Sequence, residues 1–338
     1  MLIHLDLPTF WFSALAFFWI GYFVLEGFDF GVGMLTPFVS KDEVDRTLAL
    51  NTILPVWDGN EVWLIVAGAG TFAAFPDWYA TLFSAYFLPL LLIVIALATR
   101  AVAFKYRTRS DTERWRSAWT WAIAACSALP ALLFGVAFAG IYRGIPVNGQ
   151  MEFTGDFANL IHPYALLGGV CTLSLSLLQG AAFLSYRTTG GVRERSGRLS
   201  VWLAWATTGV VLMFVLATEW GVNRGIIPNW TATATIFLAA TAAFLAYRGK
   251  ESWTFLASSV TIVFFFISYF AQLYPDVLVS STKPEWSLTI YNASSSHYTL
   301  VVMTVAALLG LPAVLFYQWW SYRVFRGRLT RGQFEPNR

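Results

Sequence analysis

Charge is scarce in this 338-residue chain. Only 12% of the residues are Asp, Glu, Lys or Arg, about half the share of an ordinary soluble domain. That scarcity, beside a hydrophobic content of 57%, excludes a water-soluble fold. No soluble core of this length buries so much apolar surface, so the solvent around the chain is largely lipid. Cysteine is nearly absent: Cys126 and Cys171 each lie inside an apolar run. Two lone cysteines exclude a disulfide framework and a cysteine metal motif, and both read as small buried hydrophobes. No Gly/Ser linker or shift in composition divides the chain, so residues 1–338 are expected to form a single integral membrane domain. The first residues, MLIHLDLPTF, lack a basic region and a small-residue cleavage site. They read as the approach to a first helix and not as a removable leader. The net charge of +3 matters less than its placement, and nothing in it points to nucleic acid.

What the chain has in quantity is long apolar runs. A bilayer crossing needs about 20 mostly apolar residues. Nine stretches qualify: Thr9–Leu35, Leu54–Ala74, Tyr79–Ala103, Trp115–Ile141, Leu160–Ser185, Val201–Trp220, Trp230–Tyr247, Trp253–Leu273 and Tyr298–Tyr322. The expectation is an all-α polytopic membrane bundle of about nine transmembrane helices. The 16 tryptophans suit membrane interfaces. Basic residues cluster after the first, third, fifth and seventh stretches and in the tail. The opposite connections hold only Arg143, Arg224 and Lys283. Because cytoplasmic loops carry the excess of Lys and Arg, the N-terminus is placed outside and the C-terminus in the cytoplasm. The charged connection Ser40–Asn51 is either a short cytoplasmic helix or a solvated connector. The longest outer connections, Tyr142–Asn159 and Tyr274–His297, are polar enough for surface structure, and the second has the composition to fold over a partner. Leu25–Phe30 (LEGFDF) and Leu178–Phe183 (LQGAAF) form a weak internal echo, which leaves a duplicated bundle open.

The informative residues are the ionisable ones inside the spans. Each costs about 2.5–3.5 kcal/mol at the bilayer centre on insertion scales, so it normally faces the bundle interior or a wet cavity. The first span carries Glu26 and Asp29, three positions apart and therefore on one face. The second carries Asp58 and Glu61 with the same spacing, and Trp57 one turn before Glu61; the third ends at Arg100. At 1.5 Å per residue Glu26 lies roughly 26 Å along the first span, Asp58 and Glu61 roughly 6 and 10 Å into the second, and Arg100 roughly 31 Å down the third. All five fall in the cytoplasmic half. One reading makes Arg100 a structural partner of Asp29 or Glu26. The other makes Asp58, Glu61, Glu26 and Asp29 a proton-uptake half-channel, since chains of Asp and Glu are the usual relay groups. Four carboxylates against one Arg leave more negative charge than pairing absorbs. Arg100 and Trp57 are then supporting residues. The glycines Gly27, Gly31, Gly33, Gly59, Gly68 and Gly70 read as helix-packing positions.

Redox chemistry has no evident seat here. A haem held inside the bilayer needs axial ligands such as His, Met or Cys. His4, His162 and His297 fall near the outer ends of spans, and no two share a helix face. Met151 lies in a connection, and Met34, Met213 and Met303 have no evident partner. His162 reads as an interfacial polar residue. No catalytic residue and no metal ligand is therefore assigned.

The same segments carry a resemblance. Gly21–Leu35 reads GYFVLEGFDFGVGML, Asn51–Ala67 reads NTILPVWDGNEVWLIVA, and FAAFPDWY follows at Phe72–Tyr79. With Arg100 closing the third span, these are similar in order and spacing to subunit II of cytochrome bd quinol oxidases. PALLFGVAFAGIYRG at Pro130–Gly144, PYALLGG at Pro163–Gly169 and SLTIYNASSS at Ser287–Ser296 extend the likeness over essentially the whole chain. The resemblance implies a bacterial inner-membrane complex that oxidises membrane quinol and reduces oxygen to water. Subunit I would hold the haems b and d and the quinol-oxidation site. This chain would be its heterodimer partner, supporting assembly and a proton route to the oxygen-reducing haem. Trp57 and Asp58 match positions on that route, and Asp29 and Arg100 match positions tied to cofactor stability or activity. Some members hold a lipid quinone in subunit II, and a small accessory subunit is a further partner the family allows. Two departures stand out: Glu26 where some members have Asp, and Glu61 where some have Gln. The short connection Asn223–Asn229 also removes any feature that depends on a longer loop there.

Two rival functions remain in view. A proton-coupled secondary transporter also uses buried carboxylates, glycine-rich helices and repeats, but this acidic cluster sits to one side of the bilayer. Glu219 and Arg224, at an outer end, do not complete a path across it. A purely structural assembly subunit would tolerate Asp58→Asn without loss of oxygen reduction.

Overall fold

A computed structural model describes residues 6–223 and 229–335. His4 and Arg224, named above, lie outside the described residues, as does most of the connection Asn223–Asn229. The chain is an all-α membrane bundle whose helices are α1 (Leu7–Val39), α2 (Glu43–Asn51), α3 (Trp57–Ala74), α4 (Pro76–Ala85), α5 (Phe87–Tyr106), α6 (Glu113–Arg143), α7 (Phe157–Leu160), α8 (Pro163–Arg187), α9 (Gly190–Gly221), α10 (Trp230–Tyr247), α11 (Glu251–Leu273) and α12 (His297–Val324). Among the described residues eight are long and apolar enough to cross a bilayer: α1, α5, α6, α8, α9, α10, α11 and α12. The second expected stretch, Leu54–Ala74, forms α3, which is not among those eight and whose 18 residues open on the polar turn Trp57–Glu61.

The boundaries differ from the expected ones for local reasons. The third stretch is broken at Tyr86 into α4 and α5. Pro89 has no N–H to give the Ala85 carbonyl, and its ring clashes with that carbonyl in a continuous helix. The second stretch starts three residues late, at Trp57, because 52–56 form turns. The connection after α1 folds as α2, capped by Asp42, whose side chain accepts from the Asp45 N–H at 3.0 Å. Helix α9 begins at Gly190, well before the expected Val201. Its polar first turns bind charge, Arg193 to Glu251 and Arg195 to Asp45.

Packing builds the interior around α1, α6 and α8. Helices α1 and α8 touch where Gly31 meets Gly180 and the Ser176 carbonyl, and a side chain on either glycine would collide with the opposite backbone. The two echoing segments meet at this crossing: Phe28 stacks on Phe183 at 4.3 Å. Gln179 donates to the Val24 carbonyl at 3.0 Å. Aromatic rings fill the space between α1, α6 and α11, with Phe23 stacked on Phe266 at 4.0 Å. Helix α12 is the exception, for Leu300 is its only buried residue.

The two faces of the bundle differ in charge. On one face Arg331 binds Asp42 at 2.7 Å and Asp45 at 2.9 Å. Arg195 binds Asp45 at 2.5 Å, and Arg107 binds Glu43 at 2.7 Å. Glu251 takes Arg193 at 2.7 Å and Arg328 at 3.0 Å. Connections after the first, third, fifth and seventh stretches and the tail therefore meet on one basic face. On the opposite face the connection after α11 folds back on its own chain. Strand β1 (Asp276–Leu278) pairs antiparallel with β2 (Leu288–Thr289). Beyond the strands, the Ser295 N–H donates to the Ala74 carbonyl at 2.8 Å, closing the end of α3.

Candidate functional site

Glu26 and Asp29 project from the basic-face half of α1, where Gly27 and Gly31 let α8 close behind them. Glu26, Asp29 and Arg100 are all fully buried. Arg100 reaches from α5 and pairs through Nη1 with Glu26, and the same nitrogen donates to Glu61 Oε1 at 3.2 Å. Its guanidinium lies over the rings of Phe30 and Phe104, with centroids at 4.9 and 5.5 Å. Trp57 packs on Phe104 at 5.2 Å and so braces the same wall. Asp29 is not paired with Arg100. Its Oδ2 accepts instead from Asn60 Nδ2 at 2.7 Å.

Asn60 is the residue that charge-counting passed over. It is fully buried, its Nδ2 also reaches the Leu25 carbonyl at 3.3 Å, and its Oδ1 accepts from Gln318 at 2.8 Å and from Tyr322 at 2.9 Å. The sequence carried one signal for this: Gln318 is a lone amide in the apolar run of α12. Tyr22, one turn before Glu26, is also fully buried.

Asp58 stands apart from the cluster. It is exposed, in the first turn of α3, so it lies about 1.5 Å from the helix start and not roughly 6 Å deep. The late start of α3 is the reason, and a carboxylate there also suits the positive end of the helix dipole. Asp58 lines a groove of about 600 Å³ with Trp57, Lys105, Tyr317, Gln318 and Ser321. Two carboxylates, Glu26 and Glu61, thus share one guanidinium, Asp29 is held beside them by Asn60, and a fourth stands at an open groove. Glu26 Oε2, Asp29 Oδ1, Arg100 Nε and Arg100 Nη2 are buried without a protein hydrogen-bond partner among the described residues. Charge balance around a single guanidinium leaves room for bound protons, because an unpaired buried ion costs several kcal/mol.

Residues 7–325 match the family model for cytochrome bd terminal oxidase subunit II. The chain belongs to that family. It is 38% identical to cytochrome bd ubiquinol oxidase subunit 2 of Bacillus subtilis, over 96% of this chain and 97% of the relative. It is 34% identical to cytochrome bd-I ubiquinol oxidase subunit 2 of Escherichia coli K12, over 97% and 96%. A chain of the bd oxidase from Geobacillus thermodenitrificans superposes with a TM-score of 0.77 at 20% identity, covering 95% of this chain and 99% of that one, which establishes the shared fold. As a bd oxidase subunit II, the chain is a multi-pass membrane component of a haem-containing oxidoreductase complex.

Among the described residues, His162 and His297 fall at helix starts and Met151 in a connection. His162 caps α8, its Nδ1 accepting from the Tyr164 N–H at 3.2 Å. His297 is exposed at the start of α12, and Met151 lies in a connection at φ 63°. Among the described residues no three His, Cys, Asp or Glu side chains converge to hold a metal. Glu219 is buried in the second half of the bundle, bonded to Asn223 at 3.2 Å, in a small tyrosine-lined cavity that shares no residue with the Arg100 cluster.

Proposed function

We propose that this chain pairs with a haem-bearing subunit I in the bacterial inner membrane and supplies both assembly support and a cytoplasmic proton-uptake route. When bound in subunit I, the haems supply electron transfer from quinol and the reduction of oxygen. The whole chain, 1–338, serves as one membrane unit, with its basic face toward the cytoplasm by the positive-inside rule. The observation that carries the reading is the buried Glu26–Arg100–Glu61 cluster beside an open groove that holds Asp58. A structural ion pair needs one carboxylate for one guanidinium, whereas a relay needs groups that exchange protons out of contact with bulk water. Asp58 and Lys105 form the mouth, Glu61 is the partly exposed member of the interior set, and Glu26 and Asp29 are the enclosed ones.

Pairing has its own support. Helix α12 leaves Val302, Val305, Leu308, Leu309 and Phe316 at least half exposed, and Ile65 and Val94 on α3 and α5 are similarly bare. Helices that bury so little of themselves within a subunit fit against a large apolar partner. Gentle purification from native membranes tests this: a companion subunit with haem absorbance is expected. A colourless lone chain that moves a solute in vesicles would establish the transporter instead.

A further inference from the structure

Asn60 uses every hydrogen bond its side chain can make. A primary amide has two N–H donors and two acceptor positions on oxygen. Nδ2 gives one hydrogen to Asp29 Oδ2 at 2.7 Å and one to the Leu25 carbonyl at 3.3 Å. Oδ1 takes one from Gln318 at 2.8 Å and one from Tyr322 at 2.9 Å. Three helices, α1, α3 and α12, are joined at this single amide. Gly59 lies against the same glutamine, 3.4 Å from Gln318 Oε1 at the position a Cβ would take, which is ordinary contact. Helix α12 has few other ties. Among the described residues its side-chain bonds to the rest of the bundle are this pair and the Trp11 indole, which reaches Thr304 at 3.0 Å and the Leu300 carbonyl at 3.2 Å near the other end.

From this geometry we propose that Asn60, Gln318 and Tyr322 form an insulating latch, by which α12 separates the enclosed Asp29 from the groove that holds Asp58. Both α12 groups donate toward Asn60, and Asn60 donates toward Asp29. A hydroxyl or a water molecule passes a proton on by accepting one and releasing another. A primary amide does so only through its unstable imidic acid form, so this chain of bonds holds Asp29 in place without conducting to it. Gln318 borders the Asp58 groove on one side and a larger apolar groove against α1 and α11 on the other. Its side chain is therefore the partition between the two. Asn60 is a positioning residue, and release of Gln318 and Tyr322 from its oxygen is the step that exposes Asp29. The importance of that step for turnover rests on the proton-route reading above, but the latch does not.

The test is site-resolved carbodiimide labelling of the intact complex in membranes, read by peptide mass spectrometry at Asp29. Asp45, held in ion pairs on the basic face, serves as the control. In Gln318→Leu/Tyr322→Phe, loss of two ordinary hydrogen bonds is expected to raise labelling of Asp29 on the order of tenfold, with Asp45 unchanged. Tyr322→Phe alone, which keeps the ring, is expected to move Asp29 labelling the same way by a smaller factor. Unchanged Asp29 labelling in a variant with full haem content overturns the latch. A parallel rise at Asp45 also overturns it, because it reports general loosening. Oxygen consumption in the same preparation separates the two readings: raised Asp29 labelling with normal turnover keeps the latch and removes Asp29 from the proton route.

Discussion

Removing the guanidinium at position 100 is the perturbation whose cost follows most directly from the geometry. Arg100 is fully buried, and its Nη1 serves both Glu26 and Glu61. Arg100→Met keeps much of the side-chain volume and leaves Glu26 enclosed without its cation. Breaking a buried pair from one side costs about 3–5 kcal/mol, because the remaining charge is uncompensated. Glu26→Gln should cost less, about 1.5–3 kcal/mol for a hydrogen bond to a charged group, since Arg100 retains Glu61. The double variant Arg100→Met/Glu26→Gln carries neither charge. It should be more stable than Arg100→Met alone, with a coupling energy of about 1–3 kcal/mol. Denaturant unfolding of the purified complex, followed by tryptophan fluorescence and by retained haem absorbance, measures all four corners of the cycle. Costs that simply add, within about 0.5 kcal/mol, would refute the claim that these two side chains neutralise one another in the interior.

Three further outcomes follow from other parts of the bundle. Gly31→Ala places a methyl group against the Ser176 carbonyl and Gly180. It should cost about 1–3 kcal/mol of overpacking, read as a lower unfolding midpoint, whereas Gly68→Ala, with open space around it, should be neutral. Arg331→Ala frees the tail from Asp42 and Asp45 and should speed limited proteolysis after Val324 without changing haem content. The Arg331 guanidinium holds the Asp42 carboxyl below its ordinary range. The contribution of that pair is therefore complete at neutral pH and is lost only as pH falls below about 4. Tail cleavage that rises between pH 8 and 6 would contradict that assignment.

Much of this architecture is readable from residue order, because lipid forces long apolar runs into helices and charge marks their ends. The basic connections after alternate stretches do meet on one face, where Arg195, Arg107, Arg328 and Arg331 find their carboxylates. The interior cluster is equally legible, since Glu26, Asp29, Glu61 and Arg100 are conspicuous in apolar surroundings. The pairing within it is not. Spacing places Glu26 and Asp29 on one face of α1 but cannot tell that Arg100 takes Glu26 and Glu61 while Asp29 takes an amide. Asp58 was expected deeper because an apolar run does not show where its first hydrogen-bonded turn closes. Pro89 stands ten residues after Tyr79, inside the expected third stretch, and marks a break that the apolar pattern alone hides. Asn60 escaped because an uncharged amide costs less in lipid than a carboxylate and raises no alarm, although it ties three helices together.

The route itself is best tested by timing hydrogen-ion disappearance at the basic face while reduced, reconstituted complex reacts with oxygen. A membrane-impermeant pH dye on that side reports the uptake, and Asp58→Asn is compared with the unaltered complex at equal haem content. The account predicts that uptake and oxygen consumption slow together, on the order of tenfold for an added barrier of about 1.4 kcal/mol. Uptake at the normal rate in fully assembled Asp58→Asn complex would contradict it.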